Sequence, residues 1–121
     1  MKEGNVLRDK SYAFALRVVK TSQYLTGEKH EYVLSKQLLR SGTAIGANVE
    51  EALGGQSDKD FSAKLAIAYK EARETHYWIR LLRDSEYPSS AQSASLLTDV
   101  DELLRILGSI LKTMKSRNLN H

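Results

Sequence analysis

Leu96, Val100, Leu103, Leu107, Ile110 and Met114 follow one another at intervals of 4-3-4-3-4. An α-helix turns once in about 3.6 residues, so this spacing sets all six side chains along one stripe. A strand would need apolar residues at every second position, and the segment lacks that period. Leu97, Leu104 and Leu111 occupy neighbouring positions and widen the stripe. Asp99, Asp101 and Glu102 come first along this segment, and Arg105, Lys112, Lys115 and Arg117 come last. That order complements the helix dipole and needs no functional reading. A helix with so wide an apolar stripe must bury it against partners.

The rest of the chain supplies those partners. One proline and seven glycines in 121 residues leave few breakers, which favours long helices over a many-turned β fold. Residues 1–121 read as a single domain with helices over about 8–25, 32–53, 58–84 and 90–115. In the first, Tyr12, Ala15, Leu16 and Val19 recur at helical spacing with Phe14 and Val18 beside them. The second carries Leu34, Leu38, Ser41, Ile45, Asn48 or Val49, and Ala52 on its inward stripe. The third carries Phe61, Leu65, Ala68, Ala72, Thr75, Ile79 and Leu82. Gly27 stops the first helix and Gly54-Gly55 the second. Ser57 is suited to N-cap the third, and Ser89 with Gln92 to form a capping box at the fourth. Met1–Asn5 reads as a loose arm and Asn118–His121 as a frayed end. Short connections between four amphipathic helices predict an all-α, antiparallel up-and-down four-helix bundle.

Composition removes several function classes. There is no cysteine, hence no disulfide, thiolate zinc site or cysteine nucleophile, which suits a reducing cytoplasm. The N-terminal stretch has no apolar core of signal-peptide length, and no run is long enough to span a membrane. The expectation is a cytoplasmic protein with no membrane partner. A di-iron bundle needs Glu-x-x-His on two helices, whereas His76 has Arg73 three positions before it and the fourth helix has no histidine. No phosphate loop or nucleophile elbow is present. The sequence therefore predicts no catalytic residue, no metal ligand and no cofactor.

Two features invite a sharper reading. Ser41, Gly42, Ala44, Gly46 and Ala47 leave little bulk over two turns of the second helix, and each mid-helix glycine costs roughly 0.5–1 kcal/mol relative to alanine. Such a stretch lets another backbone approach, either from within the chain, from a second subunit or from a ligand. Tyr69, Tyr77 and Trp78 lie off the core line of the third helix and give it an aromatic flank, suited to packing, to a subunit interface or to a base-stacking platform. Antiparallel pairing of the second and third helices also sets Arg40 level with Glu71, and Gln37 with Glu74. A guanidinium facing a carboxylate there either fixes the helix register or meets a phosphate or a partner.

The runs KQLLRSGTAIGANVEEA and DFSAKLAIAYKEARETHYWIRLL closely resemble the 23S rRNA intervening-sequence protein family, with the accessory variability determinant proteins of diversity-generating retroelements as relatives. The resemblance covers about 50 residues of the central hairpin in order and spacing; the flanking helices match by pattern only. It implies a four-helix up-and-down fold and, from characterised relatives, a ring-shaped pentamer. From the retroelement relatives it implies a basic surface that binds nucleic acid and a reverse transcriptase. It brings no agreed catalytic residue. Many members read Asn-Ile-Ala-Glu-Gly where this chain has Asn48-Val49-Glu50-Glu51-Ala52, and the net charge is only +3, well below the strongly basic retroelement relatives.

These readings converge on a non-enzymatic cyclic homo-oligomer, a homopentamer by resemblance. Gly42, Gly46, Tyr69, Tyr77 and Trp78 are the candidate interface residues. Lys10, Arg17, Lys20, Arg105, Lys112, Lys115 and Arg117 are the candidate contacts to structured RNA or other nucleic acid. The competing expectation is a protein-interaction scaffold, favoured by the mixed charge of the third helix.

Overall fold

The computed structural model describes residues 2–119 and contains four helices among them: α1 (Lys2–Gly27), α2 (Leu34–Leu53), α3 (Asp58–Asp84) and α4 (Ser90–Leu119). Contacts join α1 to α2, α2 to α3, α3 to α4 and α4 back to α1, and among the described residues the backbones of the diagonal pairs do not come close. Each neighbour runs antiparallel. Between α2 and α3, Ser41 meets Thr75 and Glu51 meets Lys64; between α3 and α4, His76 meets Asp101. The four helices form a square bundle.

The core follows the leucine spacing closely. Leu96, Val100, Leu103, Leu107, Ile110 and Met114 are all buried. On α3, Leu65, Ala68, Ala72, Thr75, Ile79 and Leu82 are buried and Phe61 is partly so. On α2 the inward residue is Val49 rather than Asn48, because Asn48 turns its amide back to the Ala44 carbonyl at 2.8 Å.

The α1 stripe is different from the one expected. Leu7, Ser11, Phe14, Val18, Ser22 and Leu25 face the core, while Tyr12 and Leu16 are 64% and 49% exposed. Two serines sit where apolar residues would be sought. Ser11 can be buried because its hydroxyl donates to the Arg8 carbonyl at 3.1 Å, leaving no bare donor in the core. The helix also begins at Lys2 rather than at Arg8, extending the buried face through Gly4 and Leu7. Met1, part of the expected loose arm, lies outside the described residues. At the other end α4 runs past Lys115 through Asn118 and Leu119, and Asn120 and His121 lie outside the described residues.

The ends are closed by named side chains. Ser57 Oγ accepts from the Asp60 amide at 3.1 Å. Gln92 N–H donates to Ser89 Oγ at 3.1 Å and Ser89 N–H to Gln92 Oε1 at 3.3 Å, a complete capping box. α2 starts at Leu34, two residues later than expected, because Glu31 caps it. The Glu31 carboxylate accepts from the amides of Val33, Leu34 and Ser35 at 3.2, 2.9 and 2.7 Å. Burial opposes its charge, yet those backbone donors, together with the Ser35 hydroxyl, outweigh burial and hold its pKa below the usual carboxylate value. His30 and Glu86 stand at positive φ, 53° and 63°. Glu86 ends α3 in the Schellman pattern, with bonds from Tyr87 N–H to Leu82 O and from Glu86 N–H to Arg83 O, while beyond α1 the turn at His30 is closed by Glu31 N–H donating to Leu25 O.

Candidate nucleic-acid interface

Lysines and arginines bind phosphate most readily where carboxylates of the same chain do not already hold them. Three of the seven expected contacts are so held. Lys10 pairs with Glu102 at 3.1 Å, Arg17 with Asp99, and Arg117 with Asp58 at 3.3 Å. Lys10 and Arg17 lie on α1 and their partners on α4, so these charges bridge two helices. Arg17 also reaches the Ser95 carbonyl. Lys20, Arg105, Lys112 and Lys115 have no acidic partner within 4.0 Å among the described residues.

Sequence reasoning passed over two further cations on α3. Arg73 and Arg80 are exposed and have no ion-pair partner among the described residues. With His76 and Leu104 they line a cavity of about 190 Å³ between α3 and α4. Arg105 lies beside it, in a depression shared with Tyr69, Asp101, Leu104 and Gly108. Lys112 follows Arg105 by seven residues, two turns along the same side of α4, and Lys115 follows by three more. Arg80, Arg73, Arg105, Lys112 and Lys115 thus form one stripe down the α3/α4 face. It spans about 27 Å at 1.5 Å per residue.

Four acids of α3 and α4 point away from this stripe. Glu71 and Glu74 face α2, where both accept from Arg40. Asp99 and Glu102 face α1. Asp101 lies on the stripe and holds His76 Nε2 at 3.3 Å, and Asp58, paired with Arg117, and Asp84, next to Arg80, stand at its two ends. A signal for this was present in the sequence. Arg73, His76 and Arg80 share one side of α3 at intervals of three and four, whereas Glu71 and Glu74 fall on the other. Counting charges along the helix, rather than around it, conceals the segregation.

Arg40 and Glu71 stand 3.1 Å apart, with Glu71 mostly buried and Arg40 about half exposed. Arg40 lies between Glu71 and Glu74, and its Nε reaches Gln37 at 3.4 Å; Gln37 itself does not meet Glu74. Held by two carboxylates of α3, this guanidinium joins α2 to α3. Trp78 Nε1 donates to the same Glu74 at 3.1 Å, which fastens Trp78 to the α2/α3 seam.

The candidate interface residues separate in the same way. Gly42 is buried against α1: a Cβ there would stand 2.8 Å from both methyls of Val18. At Gly46 a Cβ would lie 3.4 Å from the Ser11 carbonyl oxygen. The small-residue face is therefore closed by the chain's own first helix, and the subunit-contact reading of Gly42 and Gly46 gives way to an intrachain crossing. Tyr69 and Trp78 are partly buried against the core, and Tyr77 is exposed. The apolar surface left open lies nearby. Tyr12 and Leu16 of α1 and Leu39 of α2 are exposed on either side of the α1/α2 seam, with Thr43 and Ala47 completing an uncharged strip on α2.

The sequence profile of the 23S rRNA-intervening sequence protein family matches residues 3–109. The chain belongs to this family. Five solved chains match it. Among them is a crystal structure of a protein of unknown function from the S23 ribosomal protein family of Bacteroides thetaiotaomicron, 49% identical, covering 91% of this chain and 98% of its own, with a TM-score of 0.89. No curated protein matches. Among the described residues there is no cluster of three or more His, Asp or Glu able to hold a metal, and no helix long and apolar enough to cross a membrane.

Proposed function

We propose that this member of the 23S rRNA-intervening sequence protein family is a non-enzymatic, self-associating helical module that binds nucleic acid through phosphates on its α3/α4 face. One observation carries the reading. Arg73, Arg80, Arg105, Lys112 and Lys115, none with a carboxylate within 4.0 Å among the described residues, lie together on that face, while Glu71 and Glu74 are turned to α2 and Asp99 and Glu102 to α1. The family resemblance supports a ring of five in the cytoplasm, and the absence of cysteine fits a reducing compartment. A ring of five would carry a formal charge of about +15, enough to draw a polyanion at low salt.

The surface offered for self-association is the α1/α2 strip of Tyr12, Leu16 and Leu39. It also favours the second reading, a scaffold that presents this strip to another protein. Light scattering of the wild type and of the Tyr12→Glu/Leu16→Lys double variant tests assembly: a wild-type oligomer and a folded, lighter variant are expected, and an unchanged mass would remove the strip from the interface. Binding to RNA and DNA across a salt series tests the first reading. Affinity that falls steeply with salt is expected. Flat, millimolar binding at low salt would leave the scaffold.

A further inference from the structure

We infer that the α3/α4 stripe engages the phosphate backbone of a double-helical segment of nucleic acid rather than an extended single strand. The inference rests on the nucleic-acid reading above and narrows its ligand. Two features carry it, one of spacing and one of scarce stacking surface.

The stripe cations project from two helices packed side by side, so their spacing is set by helix geometry and not by loops. Arg80 lies about 10 Å along the bundle from Arg73 and Arg105, and Lys112 about 10 Å further. A row of fixed charges spread over about 27 Å matches a stiff polyanion of similar length. A flexible strand would have to be straightened along it.

Proteins that hold single strands add aromatic platforms to their cations, and each stacked base contributes substantially to affinity. The α3/α4 face has little free aromatic surface. Tyr69 lines the depression beside Arg105 but is partly buried against the core, and a Cβ added at Gly108 would lie 3.6 Å from its Cε2. Trp78 is anchored on the opposite seam through Glu74. Tyr77 is exposed, but the Arg80 guanidinium lies over its ring at 5.8 Å, and Trp78 meets it edge-on with centroids 5.1 Å apart. Phosphates are therefore what this face can hold, and a double helix is the form that presents phosphates outward in ridges.

The experiment compares three labelled ligands of equal length: an unstructured single-stranded RNA, an RNA duplex and a DNA duplex. Each is titrated with the full chain at its own oligomeric mass, from low to moderate salt. At least tenfold tighter binding of a duplex than of the single strand is expected. Arg73→Glu with Arg80→Glu should weaken duplex binding more than tenfold while helicity is retained, and Tyr77→Ala should change it less than twofold. The two duplex arms show whether A-form or B-form spacing is preferred. Equal or tighter binding of the single strand, or a tenfold loss with Tyr77→Ala, overturns the duplex inference and leaves the nucleic-acid reading standing. Millimolar binding to all three overturns both.

Discussion

Helix α1 is held by two seams of opposite chemistry. Toward α2 the contact is close and made by small residues, Gly42 against Val18 and Gly46 against Ser11. No ion pair crosses it among the described residues. Toward α4 the contact is slighter, and Lys10–Glu102 and Arg17–Asp99 bridge it. The first seam fixes geometry by excluding atoms, and the second by pairing charges that water and salt also compete for. The difference explains the outer surface. Where charge is paired across a seam it is less available outside, and the largest group of unpaired cations lies on α3 and α4.

The tight seam should break first. Gly42→Ala places a methyl 2.8 Å from a stiff valine side chain. Its gain in helix propensity is outweighed, and a loss of about 1–3 kcal/mol is expected in denaturant unfolding. A neutral result would mean that α1 can move away from α2. Glu31→Gln tests the turn that leads into that seam and should cost about 1 kcal/mol at neutral pH. Because the folded-state pKa of Glu31 lies below its unfolded value, its contribution is full above about pH 4.3 and fades as pH falls through the folded pKa. The gap between the two proteins should therefore narrow as pH falls below about 4.3 and close once pH is below the folded-state pKa; a gap that does not narrow with acid would place the effect in packing and not in charge.

Gly46→Ala sharpens the comparison by changing sign. Its added methyl would meet the Ser11 carbonyl at ordinary contact distance, so the gain in helix propensity, about 0.5–1 kcal/mol, should appear as a raised Tm. The smallest effect belongs to the charged seam. Arg17→Ala should change stability by no more than about 0.5 kcal/mol, less at high salt, because the pair is substantially exposed.

Legibility followed side-chain size. On α3 and α4, leucines, valines and alanines at intervals of three and four mark the core unambiguously, and the capping residues mark the starts. On α1 the stripe of Tyr12, Leu16 and Val19 has the same period as the true one, and hydrophobicity alone selects it over a face containing Ser11 and Ser22. Those serines are in the core because a close helix crossing prefers small side chains to apolar ones. Pairing was readable for Arg40 and Glu71, whose register is set by a short turn between adjacent helices. It was not readable for Arg17 and Asp99, which are 82 residues apart in sequence. The cationic stripe was hidden for the same reason: which lysines and arginines are available depends on where every acid has gone.

The order of assembly follows from the closed square of helices. Three of its four seams join helices consecutive in the chain, and only α1 against α4 requires the two ends to meet. Local seams close with a small loss of chain entropy, while the last must hold a loop running through the whole domain. That seam is the slightest of the four, so it is the natural place for the native bundle to breathe. Amide protons facing it on α1 and α4 should then exchange through a salt-dependent opening, while those between α2 and α3 wait for the chain to unfold.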